Sequence, residues 1–354
     1  MGLLCSQFGR EHYVRRTLIV FASLLVAASP AAVGQNFTVT DLGTLPHGFF
    51  SVARGINNRG QVVGDSETNG LFQPHVFLVR RGPMVDLGIL SGGDFSEATG
   101  INNRGEIVGF SGATARFEFA FLVKNGVMVP LPTLPGGSNN NNKASAINSL
   151  GQVVGEASTA SGALHAFLFD DEVMADLGTL PGGTFSRATG INNFGQVVGE
   201  ANTAGGETHA FLFDDGVMTD LGTLPGGTFS SATGINNLGQ VVGRADTASG
   251  EIHAFLFDDG VMTDLGTLPG GTSSRANGIN DLGQVVGSSS TANSPNPLGF
   301  GHAFLFDDGV MVDLGTLPGG NFSEALGINN RGEVVGDSTA TNALSHATLW
   351  RPAH

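Results

Sequence analysis

One long segment recurs along this chain and limits what the chain can fold into. HAFLFDDGVMTDLGTLPGG occupies residues 209–227, returns unchanged at 253–271, and returns with one letter changed at 302–320. Repeats of this kind are typical of solenoids and propellers, in which each unit buries its apolar surface against the next. Counted from the DLG triplet, seven repeats begin at residues 41, 86, 130, 176, 220, 264 and 313. We therefore predict a single seven-repeat domain over residues 35–354.

Each repeat divides into four short apolar runs separated by turn residues. In the repeat at 220–263 the runs are SSATGIN, QVVGRAD, HAFLF and VMTDLG, which we call strands A, B, C and D. The intervening NNLG and DDG sequences favour tight turns, and runs this short argue against helices. Four antiparallel strands in a unit of this length are typical of a propeller blade.

An open β-solenoid is the main alternative architecture. The last repeat ends at HATLW without its own strand D, whereas FTVTDLG at residues 37–43 precedes the first repeat as an extra copy. A ring closed by the two ends leaves no bare termini to pair with other molecules, whereas a solenoid needs polar caps that the sequence does not show. We predict an all-β, seven-bladed β-propeller of four-stranded antiparallel blades. Its N-terminal strand completes the last blade, strand A lies at the axis, and the Phe and Leu side chains of strand C form the core.

The first 34 residues have the layout of a secretory signal peptide. Arg10, Arg15 and Arg16 precede the apolar run TLIVFASLLVAA and the small residues of SPAAVGQ. Such a run is too short to span a bilayer, for which about 20 residues are needed. We predict cleavage between Ala32 and Gln35, and an extracellular or periplasmic location with no membrane insertion afterwards.

Charge excludes several partners of the exported chain. Without residues 1–34, the 16 Lys and Arg fall to 13 and the 31 Asp and Glu fall to 30, a net charge of −17. Such a charge repels nucleic acid and anionic membranes. The single cysteine, Cys5, is lost as well, so stability depends on packing and closure rather than on disulfides. We expect a monomer.

The recurring motifs resemble those of a known family. HAF stands at residues 165, 209, 253 and 302, with the variants HVF at 75, FAF at 119 and HAT at 346, and is accompanied by GINNxGQVVG and DLGTLPGG. Over residues 36–354 the chain resembles the HAF-repeat family of predicted bacterial extracellular proteins. The resemblance implies an exported repeat protein and no established reaction. The third repeat departs most, with Pro130 and Ala146 at otherwise regular positions.

Three polar residue types recur at equivalent positions, and we interpret all of them as structural. Third-strand histidines of adjacent blades are too far apart to share a metal ion, and each should hydrogen-bond the aspartate of its own C–D hairpin. The asparagine of the A–B turn should bond to the local backbone. The repeats that match best contribute His165, His209, His253, His302, Asp176, Asp220, Asp264, Asp313, Asn192, Asn236, Asn280 and Asn329.

No catalytic, metal or cofactor motif stands out. The DDG sequences lack the ligand spacing of a calcium loop, and LPGG lacks the lysine and helix of a phosphate-binding loop. There is no GxSxG or HExxH sequence. Paired carboxylates could still meet at the axis, where they would support glycoside cleavage. We therefore predict no catalytic residues, no metal and no cofactor.

Variation among the repeats indicates where a ligand would bind. The B–C loops and D–A connections share one face of the predicted ring and differ most between repeats. The candidate ligand-binding residues there are Phe49, Phe72, Arg116, Phe117, Lys143 and Phe300. Two functions fit this pattern. One is a non-enzymatic binding or scaffold module for a glycan or protein at the cell surface, and the other is a polysaccharide hydrolase or lyase.

Overall fold

The fold is an all-β propeller of seven four-stranded antiparallel blades, as predicted. The computed structural model describes residues 37–68, 70, 73–113, 117–138, 141–292, 301–341 and 344–353. The predicted signal peptide, residues 1–34, lies outside the described residues. Within the described ranges, no helix has the length and apolar character needed to cross a bilayer.

Each of the first six blades is a consecutive set of strands in the order A, B, C and D. Blades 1 to 3 comprise β2 (Ser51–Ile56), β3 (Val62–Glu67), β4 (Pro74–Val79) and β5 (Val85–Gly88), then β6 (Phe95–Ile101), β7 (Ile107–Ala113), β8 (Phe117–Lys124) and β9 (Val127–Pro130), then β10 (Asn142–Ile147), β11 (Val153–Ser158), β12 (Leu164–Asp170) and β13 (Val173–Asp176). Blades 4 to 6 comprise β14 (Ser186–Ile191), β15 (Val197–Asn202), β16 (Thr208–Asp214) and β17 (Val217–Asp220), then β18 (Ser230–Ile235), β19 (Val241–Asp246), β20 (Ile252–Asp258) and β21 (Val261–Asp264), then β22 (Ser274–Ile279), β23 (Val285–Ser289), β24 (His302–Asp307) and β25 (Val310–Asp313).

The seventh blade joins the two ends of the domain, which confirms the predicted closure. It contains β26 (Ser323–Ile328), β27 (Val334–Thr339) and β28 (Ser345–Pro352), and its outermost strand is β1 (Phe37–Asp41). β1 pairs antiparallel with β28, with Val39 opposite Trp350. The inner strand of blade 1 packs beside this blade, so the ring is continuous.

The core consists of apolar layers between neighbouring blades. In one layer Val154 and Ala166 of blade 3 pack against Leu180, Val197 and Phe211 of blade 4. One phenylalanine of strand C is completely buried in each of blades 1 to 6, namely Phe77, Phe121, Phe167, Phe211, Phe255 and Phe304. Both faces of each blade are therefore covered, which explains the unbroken apolar run HAFLF.

A bulge in every strand A explains the invariant glycine of VVG. In blade 4 the pairing of β14 with β15 shifts register between Ala188 and Gly190. A Cβ added to Gly199, on the facing strand, would lie 1.9 Å from the carbonyl oxygen of Arg187. Only glycine allows this close approach of two backbones.

The asparagine of the A–B turn both closes its own turn and bonds to the next blade. The Oδ1 atom of Asn236 accepts the N–H groups of Leu238 and Gln240, each at 3.0 Å. Its Nδ2 atom donates to the backbone carbonyl of Asn280 in the next blade at 3.0 Å. The sequence predicts the bonds within the turn but not this bond to the next blade.

The same interblade bond occurs between every pair of adjacent blades. The donors Asn57, Asn102, Asn148, Asn192, Asn236, Asn280 and Asn329 each reach the carbonyl of the following member, and Asn329 reaches Asn57 at 3.1 Å. We call these seven residues the asparagine ring. They are 3–4% exposed and surround the narrow end of the axis, next to a cavity of about 180 Å³.

The asparagine ring generates a prediction about stability. Asn236→Ala and Asn329→Ala should each lower the free energy of unfolding by at least about 2 kcal/mol, because several buried backbone groups lose their partners. Urea denaturation measures the difference. Asn321→Ala, at an exposed position, is the matched control and should cost less than about 0.5 kcal/mol. An Asn329→Ala variant as stable as this control would contradict the closed ring.

Candidate functional site

Strands A and B contribute one pair of directly opposed residues in each blade. The second residue of the SxAxGI-type strand A lies opposite the fourth residue of the VVGx-type strand B, so both side chains share one face of the blade. We call these the axial pairs. They are Val52 with Asp65, Glu97 with Phe110, Lys143 with Glu156, Arg187 with Glu200, Ser231 with Arg244, Arg275 with Ser288, and Glu324 with Asp337.

Axial pairs from several blades line a cavity on the axis. The cavity has a volume of about 450 Å³ and lies towards the face that carries the B–C loops and D–A connections, which we call the loop face. We call it the axial cavity. Its lining residues are Val52, Arg54, Arg187, Thr189, Ser231, Thr233, Arg244, Arg275, Ala276, Asn277, Glu324, Leu326 and Asp337. A polar cavity of this size suits a small hydrophilic ligand.

Ion pairs fix most of the charged side chains at the axis. Arg54 bonds to Asp65 in its own blade and to Glu97 in the next blade, where the Nη2 to Oε2 distance is 3.1 Å. Arg187 Nη2 lies 2.6 Å from Glu200 Oε1. These pairs hold several side chains in defined orientations before any ligand binds.

Blade 7 places two carboxylates opposite each other. Glu324 and Asp337 are register partners, so their Cβ atoms lie roughly 4.5–5.5 Å apart. Glu324 bonds to Arg275 Nη2 at 2.8 Å and to Asn277 Nδ2 at 2.8 Å, whereas Asp337 accepts a bond from the Ser345 hydroxyl. Burial, together with the charge of Glu324, raises the pKa of Asp337 to about 6. Asp337 can therefore exchange a proton near neutral pH.

The axial pair of blade 5 contains a cation and no carboxylate, unlike the axial pair of blade 7, which contains two carboxylates. Arg244 lies across from Ser231 rather than from a carboxylate. Its guanidinium packs over the ring of Phe229, with 5.6 Å between Cζ and the ring centroid. In the part of the chain that the structure describes, Arg244 forms no ion pair, although Arg54, Arg187 and Arg275 each do.

The residues predicted as ligand contacts do not form one cluster in the described structure. Phe49 lies in the connection between β1 and β2 and is 58% exposed, as a loop contact would be. Phe117 is instead the first residue of strand β8 and is 41% exposed. Phe72, Arg116 and Phe300 lie outside the described residues.

Lys143 belongs to the axis rather than to a loop, which corrects its predicted placement. It lies on β10, the inner strand of blade 3, because this strand begins at Asn142, within the asparagine run. Its Nζ atom is 2.8 Å from Glu118 Oε2 and 4.6 Å from the centroid of the Phe110 ring. Lys143 is therefore already paired within the wall of the axis.

The recurring histidines and aspartates form hydrogen-bonded pairs that link strands C and D of each outer hairpin. His209 Nδ1 lies 2.8 Å from Asp220 Oδ2, and Asp220 Oδ1 accepts the backbone N–H of Gly222 at 2.7 Å. The equivalent pairs, at 2.7–2.9 Å, are His75 with Asp86, His165 with Asp176, His253 with Asp264, His302 with Asp313, and His346 with Asp41. In the described residues, no three or more His, Cys, Asp or Glu are grouped as a metal site requires.

Sequence reasoning missed the axial cavity, although a signal for it was present. The inner strands SRATGI, SSATGI, SRANGI and SEALGI keep Ser, Ala and Gly-Ile while the second residue changes from Arg to Ser to Glu. The fourth residue also changes, from Thr to Asn to Leu. Changes confined to these two positions of an otherwise constant strand indicate a surface under a separate constraint. Recognising that these positions meet at the axis requires the register of strands A and B.

Comparison with solved structures supports the propeller fold. The propeller domain of the Trilobed protease from Pyrococcus furiosus superposes with a TM-score of 0.54 at 9% identity, over 85% of this chain and 95% of that chain. The oligogalacturonate lyase from Vibrio parahaemolyticus superposes with a TM-score of 0.54 at 9% identity, over 88% of this chain and 93% of that chain.

A puromycin hydrolase, crystallised as its S511A mutant, gives a TM-score of 0.55 at 14% identity over 85% of this chain. The present chain spans about half, 51%, of the length of that hydrolase. At these identities the similarity establishes the fold alone. No known family profile matches the chain, and no curated protein sequence matches it.

The pKa of Asp337 generates a prediction about pH. Its folded-state value, about 6, lies above its ordinary value of 3.8, so the free energy of unfolding falls as pH rises between the two. Asparagine does not ionise, so Asp337→Asn does not lose this part of the free energy of unfolding as pH rises. The difference in the free energy of unfolding, variant minus parent, should be more positive at pH 7.5 than at pH 4.5 by about 1–2 kcal/mol, measured by urea denaturation.

Asp308→Asn is the matched control, because Asp308 is an exposed aspartate of a C–D turn. It should change the free energy of unfolding by less than about 0.5 kcal/mol at both pH values. Equal effects of Asp337→Asn at pH 4.5 and pH 7.5 would show that the carboxyl group of Asp337 is not perturbed.

Proposed function

We propose that this propeller is an exported, non-enzymatic binding module whose axial cavity takes the polar end of a glycan. One observation carries the proposal: the lining of the axial cavity is hydrophilic and differs from blade to blade, although the surrounding scaffold is almost constant. A scaffold that needed only to close a ring would gain nothing from charged side chains that change between blades.

The lining of the axial cavity is suited to a ligand rich in hydroxyl groups. Thr189, Ser231, Thr233 and Asn277 place small polar groups among the charged side chains. Arginine side chains are donors only, whereas carboxylates accept the hydrogen bonds that sugar hydroxyls donate. Because ion pairs hold many of these groups in place, a ligand loses less free energy in ordering the site.

Export is supported by the amino-terminal sequence and by the family resemblance. Residues 1–34 have the basic segment, the apolar run and the small residues of a signal peptide. The HAF, GINN and DLGTLPGG motifs resemble a family of predicted bacterial extracellular proteins. A glycan at the cell surface is the partner that such a location would offer.

A second function, a polysaccharide hydrolase or lyase, is favoured by one specific observation. Glu324 and Asp337 face each other at the axis, and the pKa of Asp337 is raised to about 6, so the two carboxyl groups differ in their tendency to hold a proton. Such a difference is what general acid and base catalysis requires. Turnover of the bound glycan, lost in Asp337→Asn, would establish this function in place of simple binding.

The proposed binding function is tested with a glycan array and one cavity variant. Ser231→Arg should weaken binding of any captured glycan at least about tenfold, because a long side chain then occupies the axial cavity. Arg187 and Arg275 hold arginine at the equivalent position, so the variant should fold. Isothermal titration calorimetry with the captured glycan measures the change.

Leu238→Arg is the matched control for this experiment. It adds the same side chain to the same blade, at an A–B turn on the opposite face, where Leu238 is 67% exposed and where Arg59 stands in blade 1. Binding should be unchanged in Leu238→Arg. Capture of no glycan, or equal binding by both variants, would refute the axial cavity as the site.

A further inference from the structure

We infer that the unit entering the axial cavity is a uronate, a sugar that carries a carboxylate, and that Arg244 binds this carboxylate. The inference rests on the proposed function and specifies its ligand class. It follows from the way the charges of the axial cavity are matched to one another, which leaves a single cation available.

Three of the four arginines that line the axial cavity are already neutralised. Arg54 is paired with Asp65 and Glu97, and Arg187 is paired with Glu200. Arg275 is paired with Glu324 at 2.8 Å and also donates from Nε to the Ser288 hydroxyl at 3.0 Å. An arginine engaged in this way has fewer N–H groups left for a ligand.

Arg244 differs because no carboxylate occupies its axial pair. The equivalent positions in blades 1, 3, 4 and 7 are acidic, namely Asp65, Glu156, Glu200 and Asp337. In blade 5 the cation takes this place instead, and its register partner, Ser231, is neutral. Blade 5 therefore adds to the cavity wall a cation that forms no ion pair within the described residues.

The side chain of Arg244 is also held in position. Its guanidinium packs over Phe229, and in blade 2 the same two positions hold Phe95 and Phe110, whose rings pack edge to face at 6.3 Å. Contact with an aromatic face leaves the N–H groups at the edge of the guanidinium free to bind. That planar fork matches a carboxylate with two parallel hydrogen bonds.

Blade 7, which lies two blades further around the ring from Arg244, supplies the two carboxylates that line the axial cavity. Glu324 is already bonded to Arg275 and Asn277, and Asp337 already accepts the Ser345 hydroxyl. Glu324 is therefore an already paired anion, whereas Asp337 has a neutral partner and can accept further hydrogen bonds from hydroxyl groups. A ligand with one carboxylate and several hydroxyl groups can bond to both Arg244 and Asp337, whereas a zwitterionic dipeptide such as glycylglycine offers no hydroxyl group.

The test compares oligosaccharides that differ only at the carboxylate. Oligosaccharides of alginate and of polygalacturonate, and the carboxyl-reduced forms of each, are titrated into the purified chain by isothermal calorimetry. The parent should bind at least one acidic form about tenfold or more tightly than its reduced form, since a hydrogen bond to a charged group is worth at least that factor. Glycylglycine serves as the zwitterionic probe and should not bind.

Arg244→Ser should abolish the preference for the acidic form and leave binding of the reduced form within about twofold, because only the bonds to the carboxylate are lost. Ser288 occupies the equivalent position in blade 6, so the scaffold accepts this residue. Arg59→Ser, an arginine at an exposed A–B turn on the opposite face, is the control and should bind as the parent does.

The possible failures separate this inference from the proposed function. An unchanged preference in Arg244→Ser, equal affinity for acidic and reduced forms, or tighter binding of glycylglycine would overturn the uronate assignment. If the uronate assignment fails but a neutral glycan binds the parent and binds Ser231→Arg more weakly, the proposed function stands. If no oligosaccharide binds in the calorimetric titrations and none is captured on the array, the proposed function and the uronate assignment are both wrong.

Discussion

The asparagine ring is the interaction on which the rest of the structure depends. Each member bonds to the carbonyl of the next member, so the seven A–B turns are fixed in a circle with Asn329 reaching back to Asn57. These amides are almost fully buried, and a buried amide is stabilising only when its donors and acceptors are satisfied. The spacing of the inner strands, and with it the width of the axis, is set by this circle. A wider or narrower ring would leave buried amides without partners.

The constant scaffold and the variable lining are separated along each inner strand. Ser230 and Ala232 of blade 5 are completely buried, a Cβ added to Gly234 would be in van der Waals contact with Val242 and Gly278, and all three residues have counterparts in most blades. Ser231 lies between two of them and faces the axial cavity. Alternation of side chains along a strand therefore assigns packing to one set of positions and recognition to the other. A change at the axial pairs leaves the apolar layers between blades intact and alters only ion pairs such as that of Arg275 with Glu324.

Much of the fold could be predicted from the sequence, because turn residues and apolar runs act locally. The Asp215-Gly216 turn has positive φ at both residues, as the sequence DDG indicates, and the HAFLF runs form buried strands. The axial cavity could not be predicted, because Ser231 and Arg244 become neighbours only through the register of two strands. The placement of Lys143 failed for a related reason: its strand starts inside a polar run that reads as a loop.

The joint between β1 and β28 has a consequence for the order in which the molecule assembles. The other strand pairs join segments close together along the chain, whereas Val39 and Trp350 lie at opposite ends of the domain. Contacts between distant segments form slowly, since the chain loses the entropy of closing a long loop before these contacts contribute favourable free energy. The strands of six blades can therefore pair while the chain is still open. We expect the seventh blade, which needs both ends of the domain, to be completed last.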